Sequence, residues 1–148
     1  MNFEDLIKSD TSNQDRMYRD GKIYVNAPKG HFRKTFKRLE RDTGLDFKFT
    51  RSSRKAEIIC EFDQLTNWAG WSETMGKGRY KLTVEPQHWY TKSVVVHEIG
   101  HALGLGHVDG EKSIMSYDRD YNTSYFMPVD LHAIAHVFDL DHNSADFY

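Results

Sequence analysis

Three histidines and one glutamate are spaced in a way that suits metal chemistry. They lie in the pattern H-E-x-x-H-x-x-G-x-x-H, which places histidines at His97, His101 and His107. His97 and His101 are four residues apart, so on a helix they share one face and can hold one ion. Three protein ligands leave the fourth position of a tetrahedral zinc site open, which is typical of a catalytic site. The alternative is an amphipathic helix with surface histidines, and the third histidine at a fixed offset argues against it.

Two other residues of the motif have roles that follow from their type. Glu98 projects from the same helical turn as His97 and can reach a water molecule at the metal, so it is the candidate general base. Gly104 permits the positive φ that ends a helix, after which the chain can turn back and deliver His107. The pattern therefore predicts one catalytic zinc ion and hydrolysis of a peptide bond by a metal-activated water.

The motif resembles that of the metzincin zinc metallopeptidases, which also carry a methionine-containing turn after the third histidine. The run S-I-M-S-Y at residues 113–117 follows His107 at a similar distance. By this resemblance, Met115 forms an apolar floor under the ligands without binding the metal. Tyr117 would then act in catalysis, as a displaceable zinc ligand that hydrogen-bonds the oxyanion. An ordinary core methionine and a tyrosine that joins the turn to the core are the alternatives.

The resemblance combines features of several metzincin subfamilies. Residues 104–107, G-L-G-H, resemble the matrixins, whereas the Met115-x-Tyr117 pattern resembles astacins and serralysins. Val108 replaces the residue that those families usually carry after the third histidine. We therefore identify a minimal, matrixin-like metzincin, which implies a zinc metalloendopeptidase that acts on a polypeptide substrate.

In metzincins an edge strand above the cleft binds the substrate as an extended strand. By resemblance this strand lies within residues 68–72, with Ala69, Gly70 and Trp71 as candidate substrate-binding residues. The alternative is a tryptophan-bearing loop that covers the sheet. The segment after the methionine turn would line the pocket for the residue that follows the scissile bond. Its large side chains predict an apolar pocket, or else belong to the core: Tyr121, Tyr125, Phe126 and Met127.

Hydrophobic periodicity predicts one α/β (α+β) domain. The predicted elements are strands at 22–26, 46–50, 56–62 and 80–85, a short edge strand within 63–79, and helices at 29–43, 92–104 and from Pro128 onward. This order predicts a twisted, mostly parallel, mixed five-stranded sheet with an antiparallel edge strand, packed on two helices, with a C-terminal helix after the methionine turn. Residues 1–21 are interpreted as an N-terminal arm or short pro-segment, and residues 22–148 as the zinc metallopeptidase domain.

Composition limits the partners that the chain can have. Of the 148 residues, 39% are hydrophobic, and no apolar run approaches the ~20 residues that span a membrane. The basic stretch at 29–55 lacks the interleaved aromatic residues of a single-strand binder, which argues against nucleic acid. The N-terminus lacks the features of a signal peptide. We therefore expect synthesis in the cytoplasm, with the cytoplasm, a virion or release as open final locations. A monomer is favoured.

The sequence does not decide whether the chain binds further metal ions, and it allows other activities. His132 and His136 are also four residues apart, but we favour solvent-facing side chains over a second metal site. No ligand set for calcium or a structural zinc ion stands out. Besides the endopeptidase, two alternatives are a zinc hydrolase of cell-wall peptide amides and a non-catalytic zinc-binding module. The intact Glu98 argues against the non-catalytic module.

Overall fold

A five-stranded sheet lies at the centre of the structure, a computed structural model that describes residues 2–18, 20–109 and 112–140. The spatial order of the strands is β2-β1-β3-β5-β4. Strands β2, β1, β3 and β5 run parallel to one another, and β4 pairs antiparallel with β5 at one edge. The predicted α/β class and the antiparallel edge strand are therefore confirmed. The strands are β1 (Ile23–Asn26), β2 (Phe47–Phe49), β3 (Ile58–Phe62), β4 (Gly70–Gly76) and β5 (Arg79–Val84).

The described residues also form four α-helices, of which the second and third pack on the sheet and the fourth packs on the second. They are α1 (Ser12–Met17), α2 (His31–Thr43), α3 (Thr91–Ala102) and α4 (Pro128–Val137). On α2, Phe32, Phe36 and Leu39 recur at the helical period and all three are buried. Gly44 ends α2 with a φ of 84°, as its position after the periodic residues predicts. The helix boundaries lie within about two residues of the predicted ones, which is the usual uncertainty at helix ends.

The edge strand β4 is longer than predicted. Its seven residues pair with β5 from Gly70 opposite Val84 to Gly76 opposite Arg79, with an irregularity after Thr74. Only one side of β4 is paired among the described residues, because it ends the order of strands. The sequence predicted only a short strand because residues 63–79 were interpreted as a loop-rich segment.

The N-terminal arm packs against the loop that follows α3. A 3-10 helix at Phe3–Leu6 precedes α1, and the side chains of Leu6 and Met17 are buried. Two backbone hydrogen bonds join the arm to the loop: Lys8 N donates to Gly104 O at 2.8 Å, and Gly106 N donates to Leu6 O at 2.7 Å. The arm therefore contributes to the core and supports the chain that leads to His107. No helix in the described part of the chain is both long and apolar enough to cross a bilayer.

Candidate metal centre

Helix α3 positions the first two histidines of the motif at the floor of a cleft. All residues from Ser93 to Gly100 are buried, so the helix runs through the interior. It ends at Ala102, and Gly104 takes a φ of 99° while Leu105 N donates to Gly100 O at 2.9 Å. The chain thereby reverses, as the glycine predicts. This reversal brings the third histidine back to the helix.

The three ring nitrogens of the motif converge on one point. The Nε2 atoms of His97, His101 and His107 lie 3.1 to 3.2 Å from one another. The Nδ1 atom of His97 lies 2.9 Å from Ile114 O, and that of His101 lies 2.9 Å from Leu105 O. A carbonyl oxygen can only accept, so these Nδ1 atoms carry the hydrogen and their Nε2 atoms present lone pairs. Lone pairs that face one another at this distance favour a cation between them.

The spacing of these nitrogens fits a zinc ion. Two nitrogens that lie ~2.0–2.1 Å from zinc at a tetrahedral angle are about 3.3 Å apart. The observed separations of 3.1 to 3.2 Å are close to that value. Among residues 2–18, 20–109 and 112–140, this is the one group of three or more His, Cys, Asp or Glu side chains close enough to hold an ion.

The electrostatics of the site keep the imidazoles neutral. Burial, followed by the charge of Arg119, lowers the pKa of His97 to about 3. Burial also lowers the pKa of His101 to about 4, and it lowers the pKa of His107. A neutral imidazole is the form that binds a metal, so the site does not need to lose protons at neutral pH.

Glu98 is buried beside the histidines and close to the edge strand. Burial raises its pKa to about 7, although the charge of Arg119 and a hydrogen bond with the Ser72 side chain oppose that rise. Strand β4 lies directly on this carboxylate: a Cβ atom at Gly70 would be 2.8 Å from Glu98 Oε2 and 2.5 Å from Val94 Cγ1. A carboxyl group with a pKa near neutrality can both accept and return a proton.

The cleft has about 430 Å³ of space between α3 and β4. Gly70 and Trp71 line it, as do Trp68, Ser72, the three histidines and Glu98. Ala69 does not line the cleft, and its carbonyl accepts a hydrogen bond from Glu85 N at 2.9 Å. The structure therefore brings two of the three candidate substrate-binding residues to the histidines.

Met115 lies beneath α3 at Gly100. Its side chain is fully buried, and its Sδ atom is 2.6 Å from the position that a Cβ atom at Gly100 would take. Ser116 N donates to Ser113 O at 3.2 Å and closes a turn, while Val108 N donates to Met115 O at 3.2 Å. The turn is thus paired with the chain that follows His107.

Gly100 therefore has no room for a side chain. Gly100→Ala is expected to lower the free energy of unfolding by about 1–3 kcal/mol, because the new methyl group must displace Met115. Gly106→Ala is the matched control, since a Cβ atom there meets nothing closer than 3.9 Å. Urea unfolding of both variants measures the difference. Equal stability of the two would show that Met115 is not packed tightly against α3.

Tyr117 and the aromatic residues after it do not form one apolar pocket. Tyr117 is 62% exposed, and its ring centroid lies 4.7 Å from that of His107. Tyr125 packs on Arg38 of α2, at 5.7 Å, and Phe126 lies near Gly100 with Met115. Met127 precedes α4, and its N–H donates to Asp130 at 2.8 Å. None of the four residues expected to line the pocket lines the cleft beside the histidines: Met127 lines a separate cavity of about 280 Å³ with Arg119, and Tyr121 packs on Arg119.

Asp130 and Lys8, which the sequence did not indicate, form hydrogen bonds that hold the backbone around the ligands. Asp130 on α4 accepts hydrogen bonds from the Ser113 hydroxyl at 2.5 Å and from Ile114 N at 3.0 Å. Ile114 O is the acceptor for His97 Nδ1, so α4 is linked to the first ligand. Lys8 Nζ donates to His101 O at 2.7 Å. Asp130 three residues after Met127 is a recognisable capping position, whereas nothing near Lys8 in the sequence indicates its contact.

The second pair of histidines lies under the N-terminal arm. The ring of Phe3 stacks on His132 at 3.9 Å between centroids and meets His136 edge-on at 5.2 Å. His136 is exposed and His132 is partly buried. The arm thus covers part of the α4 face that was expected to face solvent.

Part of the chain, which includes the three-histidine centre, is similar in sequence to the matrixin family. The sequence model of the matrixin family (Peptidase_M10) matches residues 60–123, from β3 to beyond the turn with Met115. No curated protein matches the chain in sequence. Among solved structures, the GM1 bound form of the ECX AB5 holotoxin is similar, with a TM-score of 0.65 and 13% sequence identity. The match covers 93% of this chain and 94% of that chain, and it concerns the fold alone.

Proposed function

We propose that the chain is a zinc-dependent endopeptidase, with His97, His101 and His107 as the zinc ligands. The observation that carries this proposal is the convergence of three Nε2 lone pairs beside Glu98 in an open cleft. The match to the matrixin family over residues 60–123 supports the same class of reaction. A bound zinc ion would supply a Lewis acid that acidifies water and polarises a carbonyl group. The catalytic domain would comprise residues 22–148, with residues 1–21 as its arm.

Glu98 would act as the general base and then as the general acid. Its carboxylate takes a proton from the attacking water and returns it to the leaving nitrogen. Burial raises the pKa of Glu98 to about 7 in the metal-free site, and the charge of a bound zinc ion would favour the carboxylate form that accepts the proton. The Ser72 side chain lies beside the carboxylate and favours its charged form. Met115 would support the ligand-bearing helix from below without contact with substrate.

The substrate would bind as an extended strand along the unpaired side of β4. Strand β4 lies at the edge of the sheet and begins at Gly70, which lies directly against Glu98. Backbone hydrogen bonds to such an edge tolerate many side chains, as a peptidase with a polypeptide substrate requires. Trp71 would pack on the substrate beside the strand, since it lines the cleft and is 45% exposed.

Digestion of a mixed peptide library tests the proposal. We expect cleavage by the zinc-loaded protein, loss of cleavage after chelation, and recovery when zinc is restored. Peptidoglycan is assayed in parallel, so that cleavage of cell-wall amides without cleavage of peptides would identify the other kind of zinc hydrolase. If the protein binds zinc but cleaves neither substrate, the catalytic proposal is wrong.

Tyr117 would hydrogen-bond the oxyanion through its hydroxyl group. Tyr117→Phe is expected to lower kcat about 10-fold or more with KM and zinc content nearly unchanged, since the ring can keep its contact with His107. Tyr125→Phe is the control, because Tyr125 lines a different cavity with Arg38 and Leu39. A Tyr117→Phe variant with normal kcat would leave Tyr117 with only a packing role.

A further inference from the structure

Trp68 and Trp71 form an exposed aromatic pair beside the three-histidine centre. Both residues line the cleft that holds His97, His101 and His107. Trp68 is 60% exposed, and Trp71 is exposed as well. Their ring centroids lie 5.8 Å apart, with an angle of 47° between the ring planes. The pair therefore presents apolar surface to solvent at the cleft, and apolar surface that clusters beside a site is typical of ligand binding.

Much of the surface of these two rings is uncovered. Within residues 2–18, 20–109 and 112–140, the only aromatic or cation–π contact of either ring is the contact with the other. By contrast, the Tyr121 ring lies under the guanidinium of Arg119. A ligand that covers the tryptophan rings removes a large apolar area from water, which is favourable.

Strand β4 directs the Trp71 side chain to one face of the sheet. A Cβ atom at Gly70 would lie 2.8 Å from Glu98 Oε2, so this position of the strand faces α3. Successive side chains of a strand point to opposite faces, so Trp71 leaves β4 on the face away from α3. Trp68 precedes the strand, and its ring contacts Trp71. The aromatic pair therefore lies across β4 from Glu98, at the margin of the cleft.

A peptide that pairs with the free edge of β4 would place alternate side chains on the two faces of the sheet. The side chain opposite Gly70 would point towards Glu98, whereas the side chain opposite Trp71 would point to the face of the aromatic pair. Opposite side chains on one face lie about 4.5–5.5 Å apart at their Cβ atoms, and aromatic pairs at such positions are favourable. The peptide residue that meets the pair is therefore next in sequence to one that points at the metal centre.

We infer that Trp68 and Trp71 form a specificity subsite for an aromatic side chain of the substrate, one residue from the position that faces Glu98. A third ring can stack on one of the tilted rings and meet the other edge-on, and aromatic rings prefer both arrangements. An aliphatic side chain would gain only from the area that it buries. This inference rests on the proposed peptidase function and names its substrate class, polypeptides with Phe, Tyr or Trp close to the scissile bond.

Peptide binding to the zinc-loaded Glu98→Gln protein tests the subsite without turnover. The probes are four degenerate hexapeptide libraries that carry Phe, Leu, Lys or Gln at one central position, with only Ala, Gly, Ser and Thr around it. We expect the Phe library to bind roughly 10-fold more tightly than the Gln library, and about threefold or more tightly than the Leu and Lys libraries. Equal affinity of the Phe and Gln libraries would overturn the subsite. Binding of the Leu or Lys library as tight as that of the Phe library would overturn its aromatic preference.

Substitution of single tryptophans shows whether the pair causes the preference. Added to Glu98→Gln, Trp68→Ala or Trp71→Ala should reduce the preference for Phe over Gln to about threefold or less. Trp89→Ala is the matched control and should leave the preference unchanged, because Trp89 is 73% exposed but does not line the cleft. If Trp71→Ala does not fold, Trp68→Ala decides alone, since Trp68 lies outside β4. A full preference for Phe in Trp68→Ala would overturn the inference.

Trp71→Phe adds a readout that general disruption of β4 would not give. It keeps an aromatic ring at this position, so it should retain at least about half of the preference for Phe. A loss as large as that of Trp71→Ala would contradict recognition by the ring.

Failure of this inference is distinguishable from failure of the proposed function. Phe-dependent binding with no cleavage of any peptide by the wild-type protein would contradict the peptidase and leave the aromatic subsite. Cleavage by the wild-type protein with equal binding of all four libraries would contradict the subsite and leave the peptidase.

Discussion

Glu98→Gln is expected to lower the rate of peptide hydrolysis by ~10²–10⁴-fold or more while the protein keeps its zinc. Glutamine has nearly the same shape as glutamate and can keep the place of Glu98 beside the Ser72 side chain. It cannot take a proton from water, so the step in which water attacks the carbonyl group loses its base. The three histidines are not altered, and zinc content should stay at one ion per chain.

The measurement is kcat/KM on a cleaved peptide, with zinc determined on the same samples. Glu73→Gln serves as the matched control, because Glu73 is an exposed glutamate on β4 away from the cleft lining. Retention of activity by Glu98→Gln would exclude Glu98 as the base. If the variant loses zinc, its low activity would reflect the missing metal ion. Activity and zinc content would then be measured for Glu98→Ala, which has no side-chain amide.

The metal centre could be predicted from the sequence because its geometry is local. His97 and His101 lie on one helix, and the helical repeat alone places them together. Gly104 then fixes where the helix ends, which determines how His107 returns. The order of strands and helices likewise followed from periodicity, since each element buries one apolar face. These features depend on neighbours in the sequence.

The supports of the centre could not be predicted because they join distant parts of the chain. Lys8 and His101 are 93 residues apart, and Ser93 and Arg119, whose side chains form a hydrogen bond, are 26 apart. A single lysine or arginine in a polar stretch is expected to be exposed to solvent, because most lysines and arginines are. The segment after the turn was predicted either to line an apolar pocket or to belong to the core, because the sequence shows the aromatic residues but not the direction of each side chain.

The N-terminal arm contains buried apolar residues that hydrophobic periodicity could not predict. Leu6 and Met17 are buried, yet they lie in a 3-10 helix of four residues and a helix of six residues. Segments this short cannot show a repeat over the 11 to 18 residues that the pattern needs. The packing of the arm gives it a structural role that can be separated from its role as a pro-segment by experiment.

Deletion of residues 1–21 is expected to destabilise the protein strongly. Burial of Leu6 and Met17 contributes about 1.5–3 kcal/mol for each side chain, against a total stability of roughly 5–15 kcal/mol for a domain. The deletion also removes the two backbone hydrogen bonds to Gly104 and Gly106 and the contact of Lys8 with His101 O. Because these groups lead to His107, zinc affinity should fall together with stability.

Leu6→Ala isolates the packing part of this effect in the full chain. We expect a loss of about 2–5 kcal/mol in the free energy of unfolding, since Leu6 is fully buried, while Ser9→Ala at an exposed position should change it by less than about 0.5 kcal/mol. Urea unfolding and zinc titration of the deletion and of both variants provide the measurement. A truncated protein with unchanged stability and zinc affinity would make the arm a dispensable segment. A truncated protein that is folded and more active than the full chain would instead make it inhibitory. Loss of both properties would make the arm part of the domain, because the loop that delivers the third ligand then depends on Leu6 and its neighbours for its position.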